Sequence, residues 1–432
     1  MSDAKYRTES LVDSADSNSL IQQPAKGLGS TGRALPANDI PKLGWNLLRE
    51  DLSLPAAVLN EKNLQHNLEW MKAFAAAYGA QLAPHGKTTM APKLFRRQIE
   101  AGAWGITLAT VTQVRAAYDH GIRRVLMANQ LVGKENVNIV ARMLEDPDVE
   151  FFCLVDSADL VEHLARLLPE RGRRLNVLLE FGVDGGRTGV RDASALSSLL
   201  ASLERRKTQF ALSGVEVYEG VLQDETAIRK FLENAIQITG QLAREGRFER
   251  SPAILSGAGS AWYDVVAEVF SRAEFLHPVE IILRPGCYLT HDVGVYREAQ
   301  GNIKRRNPIA RQMNSTLLPA LQLWAYVQSI PEPHKAILGL GKRDAAFDAG
   351  LPAPALHFRP GGDCPVPAPL SWALTKMMDQ HAYMQIPEGT DLRVGDMVGF
   401  DISHPCLTFD KWRYLCVVDS HYSVIEVVET FF

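Results

Sequence analysis

Cysteine is scarce in this chain, with five in 432 residues, at Cys153, Cys287, Cys364, Cys406 and Cys416. An odd number spread so thinly does not build a disulfide framework. No run of about 18 uncharged apolar residues occurs, which excludes a membrane-spanning helix. An excess of either charge is also missing. Lys+Arg is 46 and Asp+Glu is 50, a net charge of −4, where a nucleic-acid binder would show a clustered basic surplus. The first residues, MSDAKYRTES, lack the apolar core of a signal peptide. These absences lead us to expect a soluble, reduced, cytoplasmic protein with no nucleic-acid and no membrane partner. What is present fits a globular fold: 46% hydrophobic and 22% charged residues, over more than one average domain length.

Residues 1–40 are rich in Ser, Asp, Asn, Gly and Pro and read as a flexible or loosely docked arm. From about Leu54 short apolar runs alternate with amphipathic stretches. The runs are 80–84, 104–109, 124–128, 150–155, 174–181, 210–217, 252–256 and 280–284. Helical spacing fills segments between them, such as 134–145, 157–169, 192–206, 224–246 and 262–273. Near-continuous apolar strands imply parallel pairing, and eight βα units predict a closed (β/α)8 TIM-type barrel over 41–305. Residues near 41–60 can alternatively pair with the second domain. After about Pro308, short strand-like segments broken by Pro, Gly and Asp predict a mostly β C-terminal domain over 306–432.

Barrel enzymes place chemistry at the C-terminal ends of their strands. Past the first strand stands Pro84-His85-Gly86-Lys87-Thr88-Thr89, where Lys87 is either a solvated surface lysine or a desolvated, imine-forming amine. Past the fifth, Arg187 sits in a Gly-rich turn. Past the sixth, Tyr218 is a rim aromatic or a site residue. Past the seventh, Ser256-Gly257-Ala258-Gly259-Ser260 is a plain βα turn or a cradle whose N–H groups close on an anion. A phosphate site facing a lysine suggests pyridoxal 5'-phosphate. In the second domain, Ser403-His404-Pro405-Cys406 puts an imidazole and a thiol two residues apart. That is a coincidence or a metal pair, and its donors suit Zn2+ among divalent ions.

From about Leu54 onwards the sequence resembles the D-serine dehydratase and D-threonine aldolase family of pyridoxal phosphate enzymes, whose fold is that of alanine racemase. Pro84-His85-Gly86-Lys87-Thr88 is similar to the family's lysine motif, which implies that Lys87 holds the cofactor with His85 beside it. The 256–260 loop and Arg284-Pro285-Gly286-x-Tyr288 resemble the phosphate-side motifs. Tyr218-Glu219-Gly220 resembles the segment that sets a Tyr near the cofactor ring. His404-x-Cys406 resembles the dehydratase metal pair. In the strand-five loop only Glu180, Arg187 and Gly189 keep the family pattern; Thr89 stands where many relatives have His, and Ala258 replaces a Gly. The resemblance implies a homodimeric lyase that dehydrates a small D-β-hydroxy amino acid, D-serine first and D-threonine second, to a 2-keto acid and ammonia. Its nearest alternative is an aldolase releasing glycine and an aldehyde. A non-catalytic cofactor-binding protein is the alternative of another class, and chains of that kind lack the second domain.

Overall fold

The computed structural model describes residues 20–170 and 172–432. A first strand, β1 (Ala56–Asn60), precedes eight parallel strands: β2 (Gln81–Leu82), β3 (Ile106–Leu108), β4 (Arg124–Gln130), β5 (Glu150–Val155), β6 (Leu175–Phe181), β7 (Phe210–Val217), β8 (Ala253–Gly257) and β9 (Val279–Leu283). Their order is β2-β9-β8-β7-β6-β5-β4-β3. The two ends meet through a parallel bridge between His85 and Thr107 and through Trp104 N–H to the Leu82 carbonyl at 2.7 Å, which closes the barrel. Each anticipated apolar run overlaps one of these strands.

The strands are apolar on both faces for two different reasons. Val125, Met127, Val177, Leu179, Val215, Leu255 and Leu283 pack outwards into the main core with the helices. Ala83, Trp104, Leu126, Phe152, Leu154, Leu178, Ile254 and Ile282 form a separate small core, the filled lumen. Helix starts are marked by polar side chains that accept first-turn N–H groups. Asn60, Ser157, Asp192 and Asp224 do so for Glu61–Ala77, Ala158–Leu167, Ala193–Arg205 and Glu225–Arg244. Each cap contributes about 1 kcal/mol. The helix Val295–Arg306, which follows the last barrel strand, has no strong apolar periodicity in sequence and was not anticipated.

The remaining strands form a mostly antiparallel sheet: β10 (Leu321–Glu332), β11 (Lys335–Leu338), β12 (Ala353–Phe358), β13 (Val366–Pro367), β14 (Ala373–Met377), β15 (Ala382–Gln385), β16 (Met397–Asp401), β17 (Tyr414–Val418) and β18 (Val424–Glu429). β1 joins this sheet, antiparallel to β10 and parallel to β17. The chain therefore enters the β domain, leaves to build the barrel, and returns.

Of the arm expected over 1–40, residues 1–19 lie outside the described residues. Residues 20–40 are docked. Ile21, Leu28, Ala37 and Ile40 are buried in one core with Trp324, Phe358 and Val427. Lys26 pairs with Asp344 at 2.7 Å and stands 3.8 Å over the Trp412 ring. A few well-spaced apolar side chains suffice to anchor a segment whose composition looks loose. Among the described residues no helix is long and apolar enough to cross a membrane.

Candidate active site

Side chains on a strand alternate between its faces, so each lumen residue is followed two positions later by another on the same face. At the C-terminal end this second tier is polar. Leu178 gives way to Glu180, Gly214 to Glu216 and then Tyr218, Ile282 to Arg284, and Ala83 to His85. Glu180, Glu216 and Arg284 are buried. Arg284 pairs with Glu216 and donates to the Val217 carbonyl at 3.0 Å. Glu180 accepts from the Thr188 hydroxyl at 2.7 Å and from Gln130. Burial pushes Glu216 up to about 7, against the pull of Arg284. Burial, then the positive charges of Lys87, Arg284 and Arg187, hold the His85 imidazole well below its ordinary range, so it is neutral.

Above this tier opens a cavity. His85, Lys87, Arg187, Tyr218, Ala258, Gly259, Ser260 and Cys406 all line it, joined by Arg284, Cys287 and Tyr296. Lys87 lies in the single 3-10 turn Gly86–Thr88, which follows directly from the barrel seam. Gly86 is required there, since a Cβ would lie 2.7 Å from the Phe95 ring. Lys87 is exposed and its charged neighbours are cationic, so the expected desolvated amine is instead an amine at an open, positively charged mouth. The Arg187 guanidinium stands 4.6 Å over the Tyr218 ring. Burial and Glu219 raise the Tyr218 phenol.

The loop expected to cradle an anion is shorter than anticipated, because β8 continues through Gly257. The Ser256 side chain falls in the lumen and its hydroxyl donates to the Ile282 carbonyl at 3.1 Å. Gly257 packs against Val217, Val266 and Phe270. Tyr288 is also off the cavity; it is buried behind the barrel wall, where its hydroxyl accepts from Gln98 at 3.1 Å. Ser256, Gly257 and Tyr288 thus belong to the barrel wall and do not line this cavity. The N–H groups of Ala258 and Gly259 are already engaged by the buried Glu219 carboxylate, at 3.0 and 2.6 Å. Ala258 adopts a left-handed φ of 80°, a conformation that costs a side chain about 1–2 kcal/mol. The Glu219 clamp holds it there. Ser260 accepts from the N–H groups of Gly286 and Cys287, both at 3.2 Å.

The β domain closes the mouth from the other side. His404 Nδ1 meets Asp348 at 2.8 Å, and the imidazole is also hydrogen-bonded to the Cys406 thiol. The two residues do come together, although on a bend entering the short helix Cys406–Phe409 and not on an extended strand. Cys406 Sγ lies 3.7 Å from Cys287 Sγ and 3.5 Å from the Thr88 hydroxyl. Hydrogen bonding to Cys406, with Asp348 second, raises His404 to about 9. Cys406 is correspondingly lowered, by Cys287 and then His404 as donors. Glu216, Glu219, Cys287 and Tyr296 were missed as site residues. For Glu216 a signal existed, since it continues the lumen alternation.

The cavity fits an anionic cofactor with an aldehyde. It offers a primary amine, two further cations in Arg187 and Arg284, and a small-residue wall at 258–260. Buried polar atoms without a partner lie beneath, at His85 Nδ1, Arg284 Nε and Glu216 Oε2. For a metal, His404 and Cys406 supply one nitrogen and one sulfur, donors suited to a soft divalent ion. Among the described residues no three His, Cys, Asp or Glu side chains cluster to complete a site. The remaining positions would therefore fall to water or substrate.

A lysine at the first-strand end, a small-residue loop after the seventh strand and a β domain over the mouth define the alanine racemase-like class of pyridoxal phosphate barrel. The "Alanine racemase, N-terminal domain" model matches residues 59–289, more than half of the chain, and the chain belongs to that family. The "Putative serine dehydratase domain" model matches residues 320–418. A D-threonine aldolase of Arthrobacter sp. is 26% identical over 394 residues, covering 90% of this chain and 93% of the relative. The D-threo-3-hydroxyaspartate dehydratase of Delftia sp. (strain HT23) is 29% identical over 139 residues, 32% of this chain and 36% of the relative. Among solved structures, D-threonine aldolase from Filomicrobium marinum superposes with a TM-score of 0.73 at 21% identity, covering 90% of this chain and 97% of that one. The Delftia dehydratase does so with 0.68 at 21%, covering 89% and 99%. Solved variants of that enzyme replace a histidine, and a cysteine two positions further on in the metal-free form.

Proposed function

We propose that this protein is a pyridoxal phosphate- and metal-dependent dehydratase of small D-β-hydroxy amino acids, D-serine first and D-threonine second, releasing a 2-keto acid and ammonia. The observation that carries this reading is that Lys87, from the barrel, and Cys406, from the β domain, line one cavity. Lys87 would hold the cofactor, with Arg187, Tyr218, Ser260 and His85 around it. When bound, the cofactor supplies an electron sink at the substrate α-carbon. The Lys87 amine, once free, would take the α-proton. His404 and Cys406 would hold the metal, Zn2+ by donor type, which supplies a Lewis acid for the β-hydroxyl. Asp348, hydrogen-bonded to His404 Nδ1 at 2.8 Å, would fix the orientation of the His404 ring. A thiol donor is the feature that favours dehydration over aldol cleavage, since it resembles the dehydratase pair.

The aldolase reading rests on the Arthrobacter relative, which matches along 90% of the chain. Product analysis separates the two: keto acid and ammonia from D-serine and D-threonine supports the dehydratase, and glycine with an aldehyde from D-threonine replaces it. A homodimer is the assembly this fold implies, and sedimentation tests it.

A further inference from the structure

Cys287 follows the last barrel strand and Cys406 belongs to the β domain, yet their sulfurs are 3.7 Å apart. The other thiols are placed differently. Cys153 and Cys416 are buried in strands, and Cys364 is exposed. Cys287 is buried, whereas Cys406 is partly exposed; both line the cavity, so a small polar oxidant entering the mouth meets Cys406 first. A disulfide needs its sulfurs at about 2.05 Å, an approach of roughly 1.7 Å from the distance seen.

We propose that Cys287 and Cys406 form an oxidative modification site, in which a peroxide converts the pair to a reversible disulfide. The Cys406 sulfur attacks one peroxide oxygen, the O–O bond breaks, the other oxygen takes the thiol proton and departs as water, and Cys406 is left as a sulfenic acid. The Cys287 thiol then attacks that sulfur, the S–O bond breaks, and a second water departs. Two thiols are oxidised by two electrons, and one hydrogen peroxide becomes two waters. The link pins the loop after β9 to the β-domain loop and withdraws the Cys406 sulfur from any other partner.

The test uses full-length protein carrying its cofactor, treated with hydrogen peroxide, alkylated and digested without reductant. The expected result is a linked peptide pair containing Cys287 and Cys406, lighter by two hydrogens than the separate thiol peptides and split by dithiothreitol. Cys287→Ser should abolish the link and Cys364→Ser should leave it. Mapping the unmutated protein is decisive alone, because Cys287→Ser alters a buried position. Full alkylation of both thiols after peroxide, or Cys406 oxidised to sulfinic acid with Cys287 free, overturns the proposal. The readout is mass, so the outcome is independent of which reaction the enzyme catalyses.

Discussion

The two ends of the barrel lumen are built from the same strands and behave as opposites. At the closed end Phe152, Leu178, Ile254 and Ile282 fill the lumen with hydrocarbon. Two residues beyond Ala83, Leu178, Gly214 and Ile282 on their strand faces, His85, Glu180, Glu216 and Arg284 bring charge and orphaned polar atoms together. Burial at the closed end contributes stability, at roughly 25 cal/mol per Å² of apolar surface. Burial at the mouth costs stability, because Arg284 Nε and Glu216 Oε2 are desolvated without hydrogen-bond partners. A catalytic end can be this uncomfortable because the other end is so well packed.

That contrast can be broken from either side. The largest expected effect is Lys87→Ala, which should lower turnover by at least about 1,000-fold and remove the covalently bound cofactor's visible absorption. Thermal stability should barely move. Retention of a borohydride-reducible cofactor with normal activity would assign the role to another lysine. Next comes the closed end. Phe152→Ala should cost about 3–5 kcal/mol in urea unfolding while the protein that remains folded keeps its turnover per site. Equal losses of both would dissolve the division between the two ends.

A smaller effect sharpens the mouth itself. Asp348→Asn should weaken metal affinity about 10- to 100-fold by releasing the His404 ring, read by chelator competition with the cofactor spectrum unchanged. Unaltered affinity would remove Asp348, and with it His404, from the metal reading. The smallest expected effect concerns Glu216, whose raised value of about 7 compares with an unfolded value of about 4.3. Between these the folded chain binds more protons, so this contribution is full below about pH 4.3 and is lost as pH rises to about 7. Glu216→Gln cannot titrate. Its stability relative to the native protein should therefore improve from pH 4 to 8, measured by unfolding at fixed ionic strength. A gap that moves the other way would mean that the Arg284 pair outweighs burial.

The closed end was the legible one. Parallel strands buried on both faces leave uninterrupted apolar runs, and those runs locate all eight strands to within a few residues. In the β domain β10, β11, β12, β16, β17 and β18 coincide with short strand-like segments of the sequence at 317–330, 335–339, 355–359, 397–402, 413–419 and 422–428, whereas β14 and β15, ALTKM and AYMQ, are too short and too interrupted by polar residues to stand out. At the mouth Lys87, Arg187, Tyr218 and Cys406 were legible as unusual residues at strand ends. The strand position of Ser256 and Gly257 was not legible, because a Gly-Ser string looks like loop wherever it falls, and only strand pairing shows that β8 runs through Gly257. Cys287 and Cys406, 119 residues apart, meet only through tertiary structure.

The early entry of β1 into the β domain has a consequence for how the chain is made. On the ribosome Ala56–Asn60 emerges long before its partners, Leu321–Trp324 and Cys416–Val418. At roughly 5–20 residues per second, a mostly apolar strand that will lie between two neighbours waits about 13–50 s for the first of them. The barrel can close meanwhile, but β1 gains its second neighbour only from the last tenth of the chain. A nascent chain stalled near residue 300 would display that sticky ribbon, and it is there that a chaperone has most reason to bind.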